Sequence, residues 1–329
     1  MEYRKLGCAG VKVSQFCLGC MNFGGKTDEA ESKRIIKAAL DAGINFLDTA
    51  DVYSRGVSEE FVGRAIPGVR DQIVLATKFW AGMGPGPNDR GGSRYHIVRA
   101  CEASLKRLGT DRIDLFQIHR PDKHTPIEET LRALDDLVRQ GKVLYIGASC
   151  FPAWRHAEAL LTAEMKGLNR FVSEQLPYNI LDRYAEKDIL PYCRAHGIGV
   201  ILWSPLSAGW LTGKYRKGQA PPEGTRGADK HWMVNLDTPL GKQKLEQVEK
   251  LVPLAEARGT NLTRFALAWL LHQPGVTAPI LGPRTVEQLQ DCLKALEVKL
   301  DADVLKKVDE IVPPGTPGMA EGQYWPEPG

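Results

Sequence analysis

The sequence alternates between short β-rich runs and segments with helical periodicity, and this alternation constrains the fold more than any other feature. Eight runs are strand candidates: Phe16–Gly19, Asn45–Thr49, Ile73–Lys78, Ile113–His119, Val143–Ser149, Phe171–Leu176, Gly199–Ser204 and Ala278–Gly282. Amphipathic segments lie between them; Ile97, Cys101 and Leu105, for example, fall on one helical face. Short strands separated by helical patterns of roughly 10–15 residues indicate βαβ units and a parallel sheet.

Two arrangements could hold such units, a closed (β/α)8 barrel and an open doubly wound sheet. An open sheet that binds a dinucleotide usually carries G-x-G-x-x-G between its first strand and helix. The chain has no such run there, and its Gly-rich stretch Gly82–Gly92 follows the third strand. Since eight units close into a barrel, we predict a TIM barrel of the α/β class. Tyr3–Leu6 and Val11–Val13 flank a Gly-bearing turn and predict an N-terminal β-hairpin over the N-terminal mouth.

Capping patterns predict two helix starts. Thr125-Pro126-Ile127-Glu128 has the form of a capping box with proline at the first helical position. Thr285, three residues before Gln288, repeats the threonine pattern after the eighth strand. We therefore predict that a helix begins at each of these threonines.

No composition break or Ser/Gly-rich linker divides the 329 residues, and α/β barrels commonly reach this size as one unit. We therefore predict a single domain over residues 1–329. Three segments exceed the usual loop length: Trp80–Gly92, Leu206–Asp237 and the tail after Val312. The first two follow strands, so we expect them on the C-terminal face, where barrel enzymes build their sites. Trp232 and Trp325, in the second loop and the tail, either close over a ligand or simply pack.

Charge and composition exclude several classes of function. The formal net charge is +3 and the basic residues are scattered, which does not favour a nucleic-acid partner. No apolar run approaches the ~20 residues that cross a bilayer, and the N-terminus MEYRKLG does not resemble a signal peptide. We therefore expect a soluble, cytoplasmic protein without a membrane partner.

Seven cysteines form an odd set, which fits reduced thiols in a cytosolic compartment better than a disulfide framework. Cys17 and Cys20 make a C-x-x-C, but no second cysteine pair or histidine pair completes a zinc site. Core packing is the favoured explanation of this motif, with metal or redox use as the alternative. We predict no metal site.

Polar residues at the ends of barrel strands are typical of catalytic sites. Three consecutive predicted strands end with ionisable groups in apolar surroundings: Asp48 in NFLDTA, Lys78 in IVLATKF and His119 in IDLFQIH. Neighbouring strands lie ~4.8 Å apart, so these side chains can meet at one rim. Tyr53 follows Asp48 by five residues, in a loop short enough to fold back over that rim.

These four residue types suit the reduction of a carbonyl group, which needs an acid to protonate the oxygen as negative charge builds. A free tyrosine, with a pKa of ~10, holds its proton tightly, and a nearby ammonium lowers that pKa. Lys78 would supply the ammonium, Asp48 would keep it charged and oriented, and His119 would hydrogen-bond the substrate oxygen. Each residue alone has a structural explanation, a hydrogen bond or loop packing, but four suitable types at matching strand ends are not expected by chance.

Around these residues the sequence resembles the aldo-keto reductases, over nearly the whole chain. NFLDTADVYSRGVSEEFVGRAI is similar to the family's Asp/Tyr signature, ATKF to its lysine strand and DRIDLFQIHRPD to its histidine strand. The resemblance implies that Asp48, Tyr53, Lys78 and His119 form a catalytic tetrad. It also implies NADPH (NADP+ after turnover) as the cofactor, bound across the barrel mouth without a Rossmann unit, and an aldehyde or ketone as the small-molecule substrate.

The resemblance further implies which residues contact the cofactor. Ser149 and Gln175 would hydrogen-bond the nicotinamide carboxamide, and Trp203 would stack on its ring. The pyrophosphate would be wrapped by Ser204, Pro205, Leu206, Ser207, Gly209, Leu211 and Lys214. The adenosine end would be surrounded by Gly282, Arg284, Gln288, Asp291 and Cys292, and the predicted cofactor-binding set also includes Cys20, Met21, Asp48 and Cys150.

Three of these positions carry particular expectations. Arg284 is the candidate for the 2′-phosphate, because a guanidinium matches phosphate geometry bidentately; the alternative is a solvated arginine at a helix start. Cys150 and Cys292 replace asparagines that are usual in the family, and a thiol cannot reproduce the paired donor and acceptor of an amide. Nicotinamide and adenine binding are therefore expected to be weaker or differently supported.

Trp80, next to the lysine strand, is predicted to line the substrate pocket together with Phe23 and Arg120, with Met21 nearby. An aromatic wall beside a polar tetrad suits a sugar-like, an aromatic or a terpenoid carbonyl equally well. Arg120 is either a contact for a phosphate or carboxylate or a structural partner of Asp122.

Three functional hypotheses follow. The first is an NADPH-dependent carbonyl reductase, and the second is a nucleotide-sensing barrel like the channel-associated β subunits. The third is a lyase that uses Lys78 as a Schiff-base nucleophile, for which SPLSAGWLTGKY would have no use. That segment resembles the bacterial and channel-associated branches, and GPGPNDRGGSR with RQGKVLYIGAS is similar to the bacterial glyceraldehyde-phosphate-reductase-like group. The substrate and a homo-oligomeric state stay open.

Overall fold

The computed structural model describes residues 1–229 and 231–319. It begins with the predicted hairpin, in which β1 (Tyr3–Lys5) pairs antiparallel with β2 (Lys12–Ser14). The turn between the strands needs glycine at position 7, because its φ is +60° and a Cβ there would lie 2.5 Å from the backbone nitrogen of Gly199. The hairpin is thereby held against the body of the molecule.

Eight parallel strands close into a barrel, which confirms the predicted (β/α)8 fold. They are β3 (Cys17–Gly19), β4 (Phe46–Asp48), β5 (Val74–Phe79), β6 (Ile113–Ile118), β7 (Val143–Ser149), β8 (Ser173–Pro177), β9 (Gly199–Trp203) and β10 (Val276–Leu281). Neighbours in sequence are neighbours in the sheet, and the cylinder is closed by β10 against β3, where Ile280 pairs with Cys17 and Leu281 with Leu18. Predicted and observed strand ends differ by up to two residues.

The helices of the described residues surround the barrel and follow its strands. They are α1 (Glu29–Asp41), α2 (Val57–Ala65), α3 (Arg94–Leu108), α4 (Ile127–Arg139), α5 (Ala153–Lys166), α6 (Ile189–Ala195), α7 (Pro239–Glu256), α8 (Leu262–His272), α9 (Val286–Leu293) and α10 (Ala302–Ile311). None of them is long and apolar enough to cross a membrane.

The two predicted helix starts have different outcomes. At α9 the prediction is confirmed, since the Thr285 hydroxyl accepts a hydrogen bond from the backbone N–H of Gln288. At α4 the helix begins where expected, but the capping box is wrong: Pro126 is the cap residue and the Thr125 hydroxyl donates to Asp122 Oδ2 at 3.0 Å. A carboxylate competes successfully for that hydroxyl because hydrogen bonds to charged acceptors are stronger.

The core has two layers because successive strand residues point to opposite faces of a sheet. Leu47, Leu75 and Phe116 face the helices and belong to the large outer cluster. The residues one position away face the barrel axis and form a smaller cluster with the hairpin, which includes Leu6, Val13, Phe46, Ala76 and Leu115. The hairpin therefore fills the N-terminal end of the barrel and leaves the C-terminal end for the long loops.

The long loops lie after strands, as predicted. The loop between β5 and α3 has no regular element. Among its described residues, the loop between β9 and α7 contains a single 3₁₀ segment, Ser207–Thr212. The tail packs back through the backbone N–H of Gly318, which donates to Asp182 Oδ1 at 3.1 Å. Trp325 lies outside the described residues.

Candidate active site

Asp48, Lys78 and Tyr53 meet at the C-terminal end of the barrel. Asp48 and Lys78 continue the inward-facing alternation of Phe46 and Ala76, so both side chains point to the barrel axis. The ammonium of Lys78 lies 2.5 Å from Asp48 Oδ1, donates to the carbonyl of Thr49 at 2.8 Å and lies 3.3 Å from the Tyr53 hydroxyl. Three of the four predicted catalytic residues are thus in direct contact.

The carboxylate of Asp48 is fixed by further hydrogen bonds. Its second oxygen accepts from Gln175 Nε2 at 2.8 Å and from Gln117 Nε2 at 3.2 Å. Gln175 belongs to β8, opposite β4 in the barrel, and Gln117 belongs to β6, two strands from β4. Asp48 is 2% exposed. Because both oxygens accept hydrogen bonds, the carboxylate is fixed and holds the Lys78 ammonium in one position.

His119 follows β6 and faces Tyr53, with ring centroids 5.7 Å apart and planes at 80°. Its backbone N–H donates to the carbonyl of Phe79, which holds it at the rim. Burial, followed by the positive charges of Lys78 and Arg120, lowers the pKa of His119 well below its usual 6.5. The imidazole is therefore neutral at physiological pH and can donate one hydrogen bond without carrying charge.

The pKa of Tyr53 differs from the sequence-based expectation. Burial has the largest influence and raises the pKa above 10; the Lys78 ammonium lowers it, Asp48 raises it, and the net shift is upward. The expected net lowering by Lys78 is therefore wrong, because the loss of hydration outweighs the ammonium. Burial also acts to lower the pKa of Lys78, but Asp48 and Tyr53 raise it above its usual value. Lys78 is charged and Tyr53 keeps its proton.

Asp51, which the sequence analysis missed, is a buried acid beside this group. It has no exposed surface, and neither carboxylate oxygen has a hydrogen-bond partner among the described residues. Burial, followed by the negative charge of Glu59, raises its pKa to about 7, although the backbone of Val52 and the charges of Arg107 and Lys78 oppose the shift. Its only signal in the sequence is its position between Asp48 and Tyr53.

The neutral form of Asp51 agrees with the charges around it. Lys78 is matched by Asp48, and Arg107 is matched by Glu59, whose Oε2 accepts from Arg107 Nε at 2.6 Å. A third negative charge in this buried region would have no counter-ion, which is unfavourable in a medium of low dielectric constant.

We expect Asp51→Asn to stabilise the protein at alkaline pH. In the unfolded chain an aspartate has a pKa of about 3.9. Since the folded pKa is raised to about 7, the stability contributed by the neutral carboxyl is complete below pH ~4 and is lost as the pH rises through 7. Urea unfolding at pH 8 should show a higher free energy of unfolding for the variant, by on the order of a few kcal/mol, and the difference should shrink at pH 5. A difference that does not vary with pH would show that Asp51 does not titrate in this range.

The residues predicted to meet the nicotinamide carboxamide lie beside Asp48. The Ser149 hydroxyl donates to the backbone carbonyl of Gln175 at 2.9 Å, and the Gln175 side chain reaches Asp48. Cys150 adopts a left-handed backbone conformation with φ 58° and is 1% exposed, with Sγ 3.9 Å from the same carbonyl. Cys20 is also buried, and its backbone N–H donates to the carbonyl of Asp48 at 2.8 Å.

The segment predicted to wrap a pyrophosphate has an unusual backbone. Ser204, Ser207 and Ala208 have φ values of 55°, 49° and 55°, and Gly209 has 105°. Positive φ at non-glycine residues costs about 1–3 kcal/mol each and is concentrated at functional sites. The turn is held by the Ser204 hydroxyl, which accepts from the backbone N–H of Ala208 at 2.9 Å. Pro205 and Leu211 are buried and Leu206 is half-buried.

Positive charges converge beyond this turn. Burial and the charges of Arg284, Arg226 and Lys26 lower the pKa of Lys214. Burial and Arg284 lower the pKa of Arg226, and burial, Arg226 and Lys26 lower that of His231. None of the lysines and arginines in this set forms an ion pair with an acid in the part of the chain that the structure describes. We call Lys26, Lys214, Arg226 and Arg284 the cation cluster.

Sequence reasoning found two members of the cation cluster, Lys214 and Arg284, and missed Lys26 and Arg226. The missed residues lie in loops after β3 and β9, where no periodicity marks a side chain as inward-facing. Their proximity to Arg284 depends on how these loops fold over the mouth.

Three of the predicted adenosine-binding residues have hydrogen-bond partners within the protein. Gly282 is exposed, but its carbonyl accepts from Asn22 Nδ2 at 3.0 Å, and Gln288 Oε1 accepts from the backbone N–H of Arg284 at 2.9 Å. Asp291 is held by Arg264, whose Nε donates to it at 2.9 Å. Cys292 is partly exposed, and burial followed by the charge of Asp291 raises its pKa to about 12. The thiol at this position is therefore protonated and uncharged.

Only some of the residues predicted to line the substrate pocket lie at the barrel mouth. Trp80 has a φ of 122°, and its Nε1 is buried without a partner among the described residues, as is Nη1 of Arg120. The Arg120 guanidinium lies 6.0 Å from the ring of Trp203 at the same rim. Met21 is 48% exposed, whereas Phe23 has no exposed surface and packs in the outer core. The structure therefore does not bring Phe23 to the mouth.

The sequence left open whether Arg120 is a structural partner of Asp122, and the structure shows no such pairing. The Asp122 carboxylate accepts from the backbone N–H of Gly92 at 2.6 Å, from the backbone N–H of His124 and from the Thr125 hydroxyl. Within the described residues no ion pair joins it to Arg120. Nη1 of Arg120 is thus a buried donor without a hydrogen-bond partner among the described residues.

The described residues contain no cluster of histidine, cysteine or acidic side chains suited to hold a metal ion. Cys17 and Cys20 are both free and buried. Burial has the largest influence on both thiols and raises their pKa values, which suits packing in the barrel wall.

A closed parallel barrel with a Tyr–Lys–Asp group and a neutral histidine at its C-terminal end defines a recognised class of protein. The model of the aldo/keto reductase family matches residues 15–313, and the chain belongs to that family. It is 45% identical to the uncharacterized oxidoreductase YrpG of Bacillus subtilis, over 99% of this chain and 100% of that protein.

Other relatives are named for different functions. A probable voltage-gated potassium channel subunit beta of Arabidopsis thaliana is 40% identical, over 95% of this chain and 97% of that protein. The versiconal hemiacetal acetate reductase of Aspergillus parasiticus is 35% identical, over 94% and 96%. Family and relatives together support a general oxidoreductase role.

Proposed function

We propose that this protein is an NADPH-dependent carbonyl reductase in which Tyr53 gives its proton to the oxygen of an aldehyde or ketone. The observation that carries the proposal is the position of the Tyr53 hydroxyl, which lies 3.3 Å from the ammonium nitrogen of Lys78. Asp48 holds that ammonium in place. The bound nicotinamide would supply the hydride to the carbonyl carbon. Oxidation of NADPH, followed with aldoses, phosphorylated aldehydes, aromatic aldehydes and ketones, tests the reaction and narrows the substrate; no turnover with any class would contradict it.

Tyr53, Lys78 and His119 would each have a separate role as negative charge develops on the carbonyl oxygen. As negative charge builds on the carbonyl oxygen, Tyr53 transfers its proton, and the phenolate that forms is stabilised by Lys78. Lys78 keeps its proton because Asp48 and Tyr53 raise its pKa. His119, being neutral, donates a hydrogen bond that orients the carbonyl without competing as an acid.

The pairing of Lys78 also argues against the lyase hypothesis. A Schiff base forms on a neutral amine, and the raised pKa of Lys78 keeps this amine charged at neutral pH. Asp48 and Thr49 accept two of the ammonium's hydrogen bonds, so the group is held as a permanent charge beside Tyr53.

Three features of the chain fit a bound dinucleotide phosphate. The cation cluster forms no ion pair with an acid among the described residues, and the turn at Ser204–Ala208 holds its backbone in a strained conformation. Trp203 ends β9 at the barrel rim, where it pairs with Pro177 of β8, two residues beyond Gln175. Phosphate groups would relieve the mutual repulsion of the cations. Arg284 is the proposed contact of the 2′-phosphate. Lys26 and Arg226 are proposed as neighbouring cations that would also attract this phosphate.

We expect Arg284→Ala to weaken NADPH binding by about 10–100-fold and NADH binding much less, because a hydrogen bond to a charged group contributes about 1.5–3 kcal/mol. Fluorescence titration with each nucleotide measures the two dissociation constants. Lys299→Ala removes an exposed positive charge outside the cation cluster and serves as the matched control. Equal losses for NADPH and NADH in Arg284→Ala would refute the 2′-phosphate role.

A second candidate function is a nucleotide-sensing barrel with little turnover, acting through a partner. It is favoured by relatives named as channel β subunits, 38–41% identical over about 95% of this chain. Both candidates require nucleotide binding, but only the reductase requires rapid turnover that depends on Tyr53. The effect of Tyr53→Phe on turnover therefore separates the two candidates.

A further inference from the structure

A cavity of about 250 Å³ lies at the start of α7, between that helix and the segments after β8 and β9. Trp203, Trp210 and Trp232 line it, together with Leu240, Gly241 and Lys244 from the first turns of α7. Of the described residues that line it, none belongs to the catalytic tetrad or to the cation cluster, but Trp203, Ser204 and Ser207 of the predicted cofactor-binding set lie on its wall. We call this space the α7 cavity.

Lys244 is the unexplained group in the α7 cavity. It is 5% exposed, yet its ammonium has no hydrogen-bond acceptor and no ion pair among the described residues. The nitrogen lies 5.8 Å from the centroid of the Trp210 ring. Burial lowers its pKa to about 8, opposed by the weaker influence of the Asp182 carboxylate. A buried lysine normally has a partner, because an ammonium loses three hydrogen bonds when it leaves water.

The start of α7 adds a second positive influence on the same side of the cavity. Thr238 caps the helix by accepting from the backbone N–H of Gly241, and Pro239 has no N–H to offer. The first turn contains no acidic residue that would balance the positive end of the helix dipole. Because Leu240 and Lys244 are four positions apart, the helix start and the ammonium face the same space.

The remaining wall is partly aromatic and partly polar. Three indole rings face the cavity together with polar residues such as Asn179, Ser204 and Asn235. Trp232 is 56% exposed, so it stands between the cavity and solvent. An apolar protein cavity of ~150 Å³ holds one benzene ring, so about 250 Å³ accommodates a single ring with a small substituent. Asp182 also lines the cavity, and its Oδ1 is engaged by the backbone N–H of Gly318.

We propose that the α7 cavity is a binding site for a small aromatic carboxylate, with the carboxylate on the Lys244 ammonium and the ring between the indoles. The ligand supplies an anionic acceptor within hydrogen-bonding reach of the buried Lys244 ammonium, which forms no ion pair with Asp182 or any other described residue, and a flat body for the aromatic part of the wall. The site is separate from the tetrad, and the proposal does not depend on reductase activity. Trp203 borders both the α7 cavity and the barrel rim, so occupancy is expected to change its fluorescence.

Calorimetric titration of the full chain, saturated with NADP+, tests the proposal with benzoate as the probe. Benzamide, its uncharged match, should bind at least ~10-fold more weakly, because a hydrogen bond between charged partners is lost. Inorganic phosphate, an anion without a ring, should also bind more weakly than benzoate. Lys244→Met should weaken benzoate binding ~10–100-fold, and Lys250→Met, which removes an exposed lysine of the same helix, should leave it unchanged.

Two further variants locate the anion and guard against misfolding. Arg120→Met should retain benzoate binding. If Arg120→Met instead loses benzoate binding while Lys244→Met keeps it, the carboxylate lies at the barrel mouth and the proposal is overturned. Lys244→Arg should retain most of the binding that Lys244→Met loses. If Lys244→Met does not fold, acetylation of wild-type Lys244, followed by peptide mass spectrometry, must be slowed by benzoate and not by benzamide. No benzoate binding in the wild type, or equal acetylation rates, would also overturn it.

Discussion

Tyr53→Phe is expected to abolish nearly all carbonyl reduction while leaving NADPH affinity almost unchanged. The substitution removes one hydroxyl, the only proton donor in contact with the Lys78 ammonium among the described residues. A positioned general acid contributes about 10²–10⁴-fold to a rate, so kcat for NADPH oxidation should fall by that factor. The phenyl ring still fills the space beside His119, and the proposed cofactor contacts lie on other strands.

The measurement pairs steady-state NADPH oxidation with a fluorescence titration of NADPH. Ser54→Ala is the matched control, since it removes a neighbouring hydroxyl that donates to the backbone carbonyl of Phe23. Turnover in Tyr53→Phe close to the wild-type value would rule out Tyr53 as the acid. If the wild type itself binds NADPH but shows no Tyr53-dependent turnover, the nucleotide-sensing candidate is favoured.

Lys78→Met is expected to remove activity and to destabilise the fold together. Without the ammonium, a phenolate on Tyr53 has no counter-charge, and we expect a loss of about 10²–10³-fold in kcat. Asp48 would keep a buried negative charge with only two amide donors, and breaking a buried ion pair from one side costs about 3–5 kcal/mol. Urea unfolding at pH 7 measures the second effect independently of activity.

The double variant Asp48→Asn with Lys78→Met separates the two effects. An asparagine oxygen can still accept from Gln175, and the buried site then holds no unpaired charge. We expect most of the lost stability to return while kcat stays low. If the single variant is as stable as the wild type, Asp48 and Lys78 do not form the buried pair described above; if the double variant regains activity, the ammonium is not needed.

The barrel and the meeting of the candidate catalytic residues could be predicted because they depend on period-two patterns. Asp48 and Lys78 lie two positions beyond inward-facing Phe46 and Ala76, so the alternation that builds the core also points these two side chains to the barrel axis. Once eight strands are paired in sequence order, neighbouring strand ends must share a rim. Thr285 was predictable for a similar reason, since a cap is a local hydrogen bond.

The remaining features depend on loops and on burial, which no local pattern encodes. Arg226 lies in a long irregular segment and reaches Arg284 only through the fold of that segment. Phe23 was expected at the mouth but is buried, because the turn that carries it packs into the outer core. The upward shift of the Tyr53 pKa has the same origin: residue types indicate which charges are near, but only the packing determines how much water is lost.

The closure of the barrel by β10 against β3 has a consequence for synthesis of the chain. The strand that completes the cylinder spans Val276–Leu281, and its partner, Cys17–Gly19, leaves the ribosome more than 250 residues earlier. Until then the growing sheet has two unpaired edges, which are sites for aggregation. A nascent polypeptide that stalls before residue 276 cannot seal its sheet. Such truncated products should therefore need chaperone protection, whereas release of the finished chain removes both edges in a single step.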